Sequence, residues 1–324
     1  MINLEGKSIL VTGGTGSFGK AFIRHILDNY HPRRVIVFSR DELKQFEMEQ
    51  EFKDNRLRFF LGDVRDRDRL YRAFKGVEYV VHAAALKQVP ACEYNPFEAI
   101  KTNVLGAQNI IEAAIDCGVK RLVALSTDKA ASPANLYGAT KLCSDKLFIA
   151  GNAYVGASDR TMFSVVRYGN VVGSRGSVIP LFKKQREEGV ITITDERMTR
   201  FWLTLEQGVK FVLNSLENMC GGEIFVPKIP SMKITDLAEA IAPGCQHKAV
   251  GIRPGEKLHE VMITEDDSYN TIEVKDFYLI KPPFSWWSSE NWSEGRPVPE
   301  GFRYSSDRNE WWLTKEELKK MVSE

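Results

Sequence analysis

Short apolar runs alternate with amphipathic stretches along the first half of this chain. Ser8-Ile9-Leu10-Val11 reads as a buried strand, and Phe22, Ile23, Ile26 and Leu27 then recur at helical spacing. Further strands are predicted over Arg34 to Phe38, Leu57 to Leu61, Val77 to Val81 and Lys120 to Leu125, and helices over Phe97 to Ile115 and Ala139 to Ile149. Strands that are apolar throughout and separated by helices suit a parallel sheet covered on both faces. The expected fold class is α/β, a Rossmann-type doubly wound parallel sheet. Beyond about Arg167 the runs shorten and Gly/Pro turns multiply around a helix from Leu205 to Leu216, which predicts a smaller C-terminal α/β lobe. The expected division is a nucleotide-binding and catalytic domain over 1–167 and a mainly substrate-binding lobe with an aromatic tail over 168–324, the two intertwined.

The first strand runs directly into Thr12-Gly13-Gly14-Thr15-Gly16-Ser17-Phe18-Gly19. Glycines 13, 16 and 19 lack the Cβ that would keep backbone N–H groups away from a pyrophosphate at the positive end of a helix. Gly13, Thr15, Gly16, Ser17, Phe18 and Gly19 are therefore expected to cradle a dinucleotide. The second strand ends in Ser39-Arg40-Asp41. Arg40, with Lys44 one helical turn later, points to the 2′-phosphate of NADP. Asp41 keeps NAD open, since it is either a helix N-cap or a ribose acceptor. Asp63, after the third strand, is an adenine acceptor or the cap of a helix beginning near Asp66. Small residues after the fourth strand, Ala84 among them, permit close approach of the cofactor, with Val64 nearby.

Ser126-Thr127-Asp128-Lys129 follows the Lys120 to Leu125 run, where ligands bind in open α/β sheets. Tyr137 and Lys141 lie four apart on the next helix, so the Lys141 ammonium can sit beside the Tyr137 phenol and favour its deprotonation. Without that pair, Asp128 and Lys129 would read as a solvated ion pair at the start of a loop, and Thr127 as a β-branched strand end.

Taken in order, the glycine loop, Gly62-Asp63-Val64, His82-Ala83-Ala84-Ala85 and Tyr137-x-x-x-Lys141 resemble the extended short-chain dehydrogenase/reductases. More narrowly, the chain resembles the inverting UDP-N-acetylglucosamine 4,6-dehydratases. That match rests on Phe38 to Glu42, Ala84 to Pro90, Ser126 to Lys129, Tyr137 to Lys141, Arg167 to Val171, Met198 to Phe201 and Arg253 to Lys257. The resemblance implies a lyase with transient hydride transfer to bound NADP. Tyr137 would take the proton of the sugar 4-hydroxyl, Lys129 the proton of carbon 5, and Asp128 would protonate the departing 6-hydroxyl, with Thr127 orienting the hydroxyl network. A lysine base needs a pKa depressed from ~10.4, and an aspartic acid donor one raised from ~3.9. Retaining dehydratases of the same group carry Glu where this chain has Lys129. The resemblance also carries Lys87, Asn170, Thr199, Arg200, Arg253 and Glu256 to the UDP-sugar cleft. Inversion at carbon 5, the acetamido sugar and a product of the pseudaminic acid type all rest on it. Bland alternatives are an Arg200 packed on Phe201 and Trp202, and a Glu256 paired only with Lys257.

Two rival readings use the same fold. A UDP-sugar 4-epimerase needs Tyr137 and the cofactor but leaves Asp128 and Lys129 without acid–base work, and a non-catalytic NADP-sensing protein would not need Tyr137 and Lys141 at all. A formal charge of +1 over 324 residues offers no basic field for nucleic acid. No apolar run approaches the ~20 residues of a membrane span, and the start shows no signal pattern, so a cytoplasmic protein is expected. Cys92, Cys117, Cys143, Cys220 and Cys245 form no metal-binding spacing, so no metal is expected. Trp286, Trp287, Trp292, Trp311 and Trp312 are expected to pack on the body or on a neighbouring subunit of a homo-oligomer.

Overall fold

The structure, a computed structural model, describes residues 2–155, 161–173, 178–285, 287 and 292–323. Its first half alternates β1 (Ser8–Thr12), α1 (Ser17–Asn29), β2 (Arg34–Ser39), α2 (Glu42–Phe52), β3 (Leu57–Leu61), α3 (Arg67–Phe74) and β4 (Tyr79–His82). There follow α4 (Val89–Tyr94), α5 (Pro96–Ile100), a π-helical turn (Lys101–Leu105), α6 (Gly106–Asp116), β5 (Arg121–Thr127), α7 (Leu136–Gly151) and β6 (Met162–Tyr168). The strands pair in parallel in the order β3-β2-β1-β4-β5-β6. Ile9, Leu10, Val80, Val81, Leu122 and Val123 are fully buried, as strands covered by helices on both faces must be. The strand order reverses between β1 and β4, and the loops leaving these strands open a crevice at their carboxyl ends.

The second half carries β7 (Asn170–Val171), α8 (Val178–Arg186), β8 (Val190–Ile193), β9 (Thr199–Leu203), α9 (Leu205–Asn218), β10 (Ile224–Pro227), β11 (Ser231–Lys233), α10 (Ile234–Ile241) and β12 (Gln246–Ala249). Then come β13 (Val261–Ile263), β14 (Thr271–Glu273), β15 (Phe277–Ile280), β16 (Arg296–Pro297), β17 (Tyr304–Ser305) and α11 (Lys315–Ser323). The chain beyond Tyr168 divides between two places. β10 joins β6 in parallel, and β15, β14 and β16 continue the same sheet antiparallel. A second core, built on Phe182, Ile191, Trp202, Leu237 and Leu318, holds the remaining lobe over the crevice.

Several boundaries differ from those the periodicity predicts. β5 runs two residues further, to Thr127, because its register with β6 continues to Thr127↔Tyr168. The helix expected over Phe97 to Ile115 is broken at the π-helical turn, where Asn103 turns inward. Its side chain accepts from Leu86 N (2.8 Å) and donates to Leu86 O (2.8 Å) and Thr140 Oγ1 (3.0 Å), satisfying a backbone segment that no strand reaches. In the tail, Trp292 packs edge-on against Phe225 and Phe277 and donates to Glu223 at 3.1 Å. Trp312 donates to Asn309 O, whereas Trp311 is half exposed. Trp286 lies outside the described residues.

His82 ends β4 in the core, its Nδ1 2.7 Å from Thr12 Oγ1 and its ring against Phe148. Burial, helped by the charge of Lys141, holds the imidazole down to about 3. An unfolded histidine takes a proton near ~6.5. Between those values the unfolded chain binds a proton that the folded one refuses, so stability falls as pH drops, by about 1.4 kcal/mol per unit. Urea midpoints are expected to drop less between about pH 6.5 and 5 in a His82→Gln variant than in the parent protein.

Candidate active site

The crevice is a cavity of about 1010 Å³, at the upper end of the range for ligand sites. It gathers every predicted cofactor residue: the glycine loop from Gly13 to Gly19, Arg40, Asp41, Lys44, Asp63, Val64, Ala84, Tyr137 and Lys141. Thr127, Asp128 and Lys129 line it as well, as do Lys87, Asn170, Arg200, Arg253 and Glu256. Thr199 does not. Along β9 the side chains alternate, so Met198, Arg200 and Trp202 face the cavity while Thr199 turns away. The Thr199 hydroxyl instead bonds His259 Nδ1 at 2.8 Å and Ser306 Oγ at 2.7 Å.

The nucleotide end is shaped by close backbone contacts. Gly13 has φ +66°, and a Cβ there would come within 2.9 Å of Ala84 N. A Cβ on Gly19 would lie 2.6 Å from the Gly14 backbone, so α1 packs directly on the loop that precedes it. Gly16 caps α1 without a side-chain hydrogen bond, which leaves the helix start open to an anion. Asp41 is the N-cap of α2, accepting from Lys44 N at 3.0 Å and pairing with the Lys44 ammonium. The cap reading of Asp41 is thus present in the structure, with the carboxylate still at the cavity wall. Arg40 is about half exposed and touches Asp63 only at 3.4 Å. Asp63 bonds Arg65 at N and Nη2 and does not cap α3, whose cap is Asp66.

At the end of β5 the reacting groups are crowded together. Thr127 Oγ1 and Lys129 Nζ both donate to Asp128 Oδ1, at 2.9 and 3.0 Å. Lys129 Nζ also lies 3.1 Å from Glu260 Oε1, a residue that sequence patterning does not single out. Asp128 and Glu260 are 1% and 2% exposed as side chains, while Lys129 keeps a quarter of its surface open to the cavity. Burial, then the charge of Glu260, pushes Asp128 above the usual carboxyl range. A carboxylic acid that keeps its proton is what the sequence reading requires there. The lysine runs the other way. Burial opposes its charge, but Asp128 and Glu260 outweigh burial and hold the ammonium above its ordinary range. The depressed lysine that the base role needs is therefore not the resting state, because two carboxylates stand within 3.1 Å.

Tyr137 is also governed by its surroundings. Burial pushes the phenol up to about 12, and Lys129 and the Thr127 hydroxyl pull it back. Lys141 itself is 3% exposed; burial lowers it and Asp145 raises it. Asp145 accepts from Ser126 Oγ at 2.7 Å and lies 3.5 Å from Arg167, a cation buried beneath the site.

On the sugar side, Arg200 donates to the carbonyls of Thr199, Leu258 and Lys257, at 2.7 to 3.0 Å, and so clamps the 257–258 backbone rather than stacking on rings. Lys257 donates to Ala131 O, which leaves Glu256 facing Arg253 at 3.9 Å. Arg253 and Lys87 are exposed at the rim. Thr102 Oγ1, Asp128 Oδ2, Asn170 Oδ1, Trp202 Nε1, Glu256 Oε2 and Glu260 Oε2 are all buried without a hydrogen-bond partner, and all belong to residues lining the cavity. Buried polar atoms seldom stay unpaired, so the cavity fits a polar ligand along its whole length.

The sequence from residue 9 to residue 282 matches the model of one family, described as polysaccharide biosynthesis protein. The chain belongs to that family. Within it, the chain is 56% identical over 328 residues to a UDP-N-acetylglucosamine 4,6-dehydratase (inverting) of Campylobacter jejuni, covering 98% of both chains. It is 44% identical over 282 residues to a UDP-glucose 4-epimerase of Rickettsia canadensis, covering 85% of this chain and 82% of the relative. The X-ray structure of Pen from Bacillus thuringiensis superposes with a TM-score of 0.90 at 39% identity, over 99% of this chain and 98% of that one.

The glycine of Tyr137-Gly138-Ala139-Thr140-Lys141 has a structural reason in this family member. A Cβ on Gly138 would lie 2.1 Å from the Lys129 carbonyl oxygen, so only glycine lets α7 press its first turn against the Asp128–Lys129 segment. Asn135 fixes the same turn, accepting from Gly138 N at 2.8 Å and donating to Gly255 O at 2.7 Å. Gly138→Ala is expected to cost about 1–3 kcal/mol in denaturant unfolding, and displacing Tyr137 by about 1 Å should lower turnover by about 100-fold in a steady-state assay.

Proposed function

We propose that this protein is an inverting UDP-N-acetylglucosamine 4,6-dehydratase that works with bound NADP. The observation that carries the reading is the joining of Asp128, Lys129 and Tyr137 in one cavity, in a chain 56% identical to an enzyme of that name. NADP is favoured over NAD because Arg40, half exposed just beyond β2, and Lys44, in the first turn of α2, place two cations where a ribose phosphate would lie, while one Asp41 oxygen caps that helix. Bound NADP would supply the hydride acceptor and donor and, when oxidised, a positive ring that favours a phenolate.

Tyr137 takes the proton of the 4-hydroxyl as the carbon 4 hydride departs. The resulting ketone acidifies carbon 5, whose proton passes to Lys129 while Asp128 protonates the leaving 6-hydroxyl. Lys129 rests as an ammonium, so this step begins with transfer of its proton to the Glu260 carboxylate 3.1 Å away, while Asp128 keeps its own. With the hydride returned to carbon 6, where the hydroxyl departed, a proton delivered to the opposite face of carbon 5 would give the L-arabino 4-keto sugar. The Rickettsia canadensis relative is named a 4-epimerase, a reaction that needs no acid and base at carbons 5 and 6 and so leaves the buried Asp128 and Lys129 without a task. Exposed Tyr94, Phe97 and Leu105 around α4 to α6 support a homo-oligomer.

Proton NMR of the purified protein with UDP-N-acetylglucosamine in deuterium oxide tests the reading, with and without added NADP. Expected are a new methyl signal, deuterium at carbon 5 and the L-arabino configuration; UDP-N-acetylgalactosamine as product would instead establish the epimerase. Lys129→Ala should slow methyl formation by about 100- to 10,000-fold. Tyr137→Phe should do the same while leaving NADP affinity nearly unchanged in a fluorescence titration.

A further inference from the structure

Glu260 has no place in the sequence motifs, yet it completes the charge arrangement at the reacting end of the cavity. It immediately precedes β13, and its backbone is held at both ends by Ser306, which donates N–H to Glu260 O at 2.8 Å while its hydroxyl accepts from Glu260 N at 2.9 Å. Thr199 Oγ1 in turn bonds that hydroxyl at 2.7 Å. A carboxylate on so fixed a backbone is placed, not drifting. It meets Lys129 Nζ at 3.1 Å and Arg200 Nε at 3.7 Å.

Lys129 therefore stands between two buried carboxyl groups, Asp128 at 3.0 Å and Glu260 at 3.1 Å. Two carboxylates compete there for the one ammonium within hydrogen-bond reach, and a buried carboxyl group whose desolvation is not offset takes up a proton instead. The neighbouring charges say which group is better able to stay ionised. Glu260 also faces Arg200, and Lys257 adds a third positive charge nearby; together with Lys129 they hold it below the usual glutamate range although burial opposes this. Asp128 has Lys129 and the Thr127 hydroxyl on one oxygen and Tyr137 beside it, and among the described residues it pairs with no second cation; like Glu260, it keeps one unpartnered oxygen. Its surroundings push it up.

We propose that Glu260 is a positioning residue for the elimination, the counter-ion that occupies Lys129 so that Asp128 keeps the proton it must give to the departing 6-hydroxyl. The inference rests on the dehydratase reading for its purpose, but the proton placement can be measured without substrate. The trio then holds two protons and no net charge, one on Asp128 and one in the Lys129 ammonium. If Glu260 were neutral, Lys129 would pair with Asp128 alone and draw it into the carboxylate form, which cannot act as an acid.

Carbon-13 NMR of the unliganded full-length protein, labelled at the side-chain carboxyls of Asp and Glu, tests this. The Asp128 signal is assigned by its loss in Asp128→Asn and the Glu260 signal by its loss in Glu260→Gln. In the parent protein Asp128 is expected to titrate above the free value of ~3.9 and Glu260 below ~4.3. In Glu260→Gln the Asp128 midpoint should fall by at least about one unit, and Glu260→Asp should restore most of it. Methyl formation by Glu260→Gln should then fall about tenfold for each unit lost when measured above both midpoints, and much less below them, with little change in KM. An Asp128 midpoint equal in parent and Glu260→Gln proteins would overturn the proposal. So would a parent protein in which Glu260 holds the proton, a result that stands even if Glu260→Gln fails to fold. If the parent makes no keto sugar yet titrates as expected, the dehydratase reading fails and the proton placement stands.

Discussion

Charge cannot be left unbalanced where water is scarce, and that constraint shapes the reacting end of this protein. Asp128, Lys129 and Glu260 sit within hydrogen-bond reach at the carboxyl end of β5, in surroundings that expose almost none of either carboxyl group. Each group sets the proton affinity of the others. An isolated Asp128 would be an ordinary carboxylate and an isolated Lys129 an ordinary ammonium, and neither is a useful acid or base at neutral pH.

The surrounding fold serves to hold that trio still. β5 continues in register with β6 to Thr127, so the segment that carries Asp128 leaves the sheet from a fixed point. Gly138 lets α7 close onto the Lys129 carbonyl, and Asn135 ties the start of that helix to the Gly255 loop. Arg200 clamps the backbone of residues 257 and 258, and the Ser306 bonds fix Glu260 two residues later. Beneath the site, Arg167 and Asp145 form a second buried pair that faces Lys141. Preorganisation of this kind places reacting groups without further reorganisation during the reaction.

The same scaffold serves relatives named as dehydratase and as epimerase, and the difference between them cannot be read from the sheet. Both reactions need a cofactor cradle and a tyrosine at carbon 4. Only elimination needs an acid and a base further along the sugar. The burial of Asp128 and Glu260 around one lysine is costly, and a chain that had no use for acid–base chemistry at that place would gain by replacing them.

The sequence by itself determined the parallel sheet, the glycine cradle and the location of Asp128, Lys129, Tyr137 and Lys141, because hydrophobic period, missing Cβ atoms and short helical spacings are local properties of the chain. It also offered the Asp41 alternatives, of which the structure shows the helix cap. What tertiary structure alone decided were relations between distant segments. Thr199 lies inside the matched motif yet faces away from the cavity, since strand alternation aims Arg200 and Trp202 instead. The break at Lys101–Leu105 follows from backbone groups of Leu86 that Asn103 must satisfy. Lys129 is held above its ordinary range despite burial because Asp128 is joined by Glu260, which, 131 positions later, arrives at 3.1 Å through the pairing of β13 with β17. Proton affinity depends on distances between charges, and those distances exist only once the chain has folded.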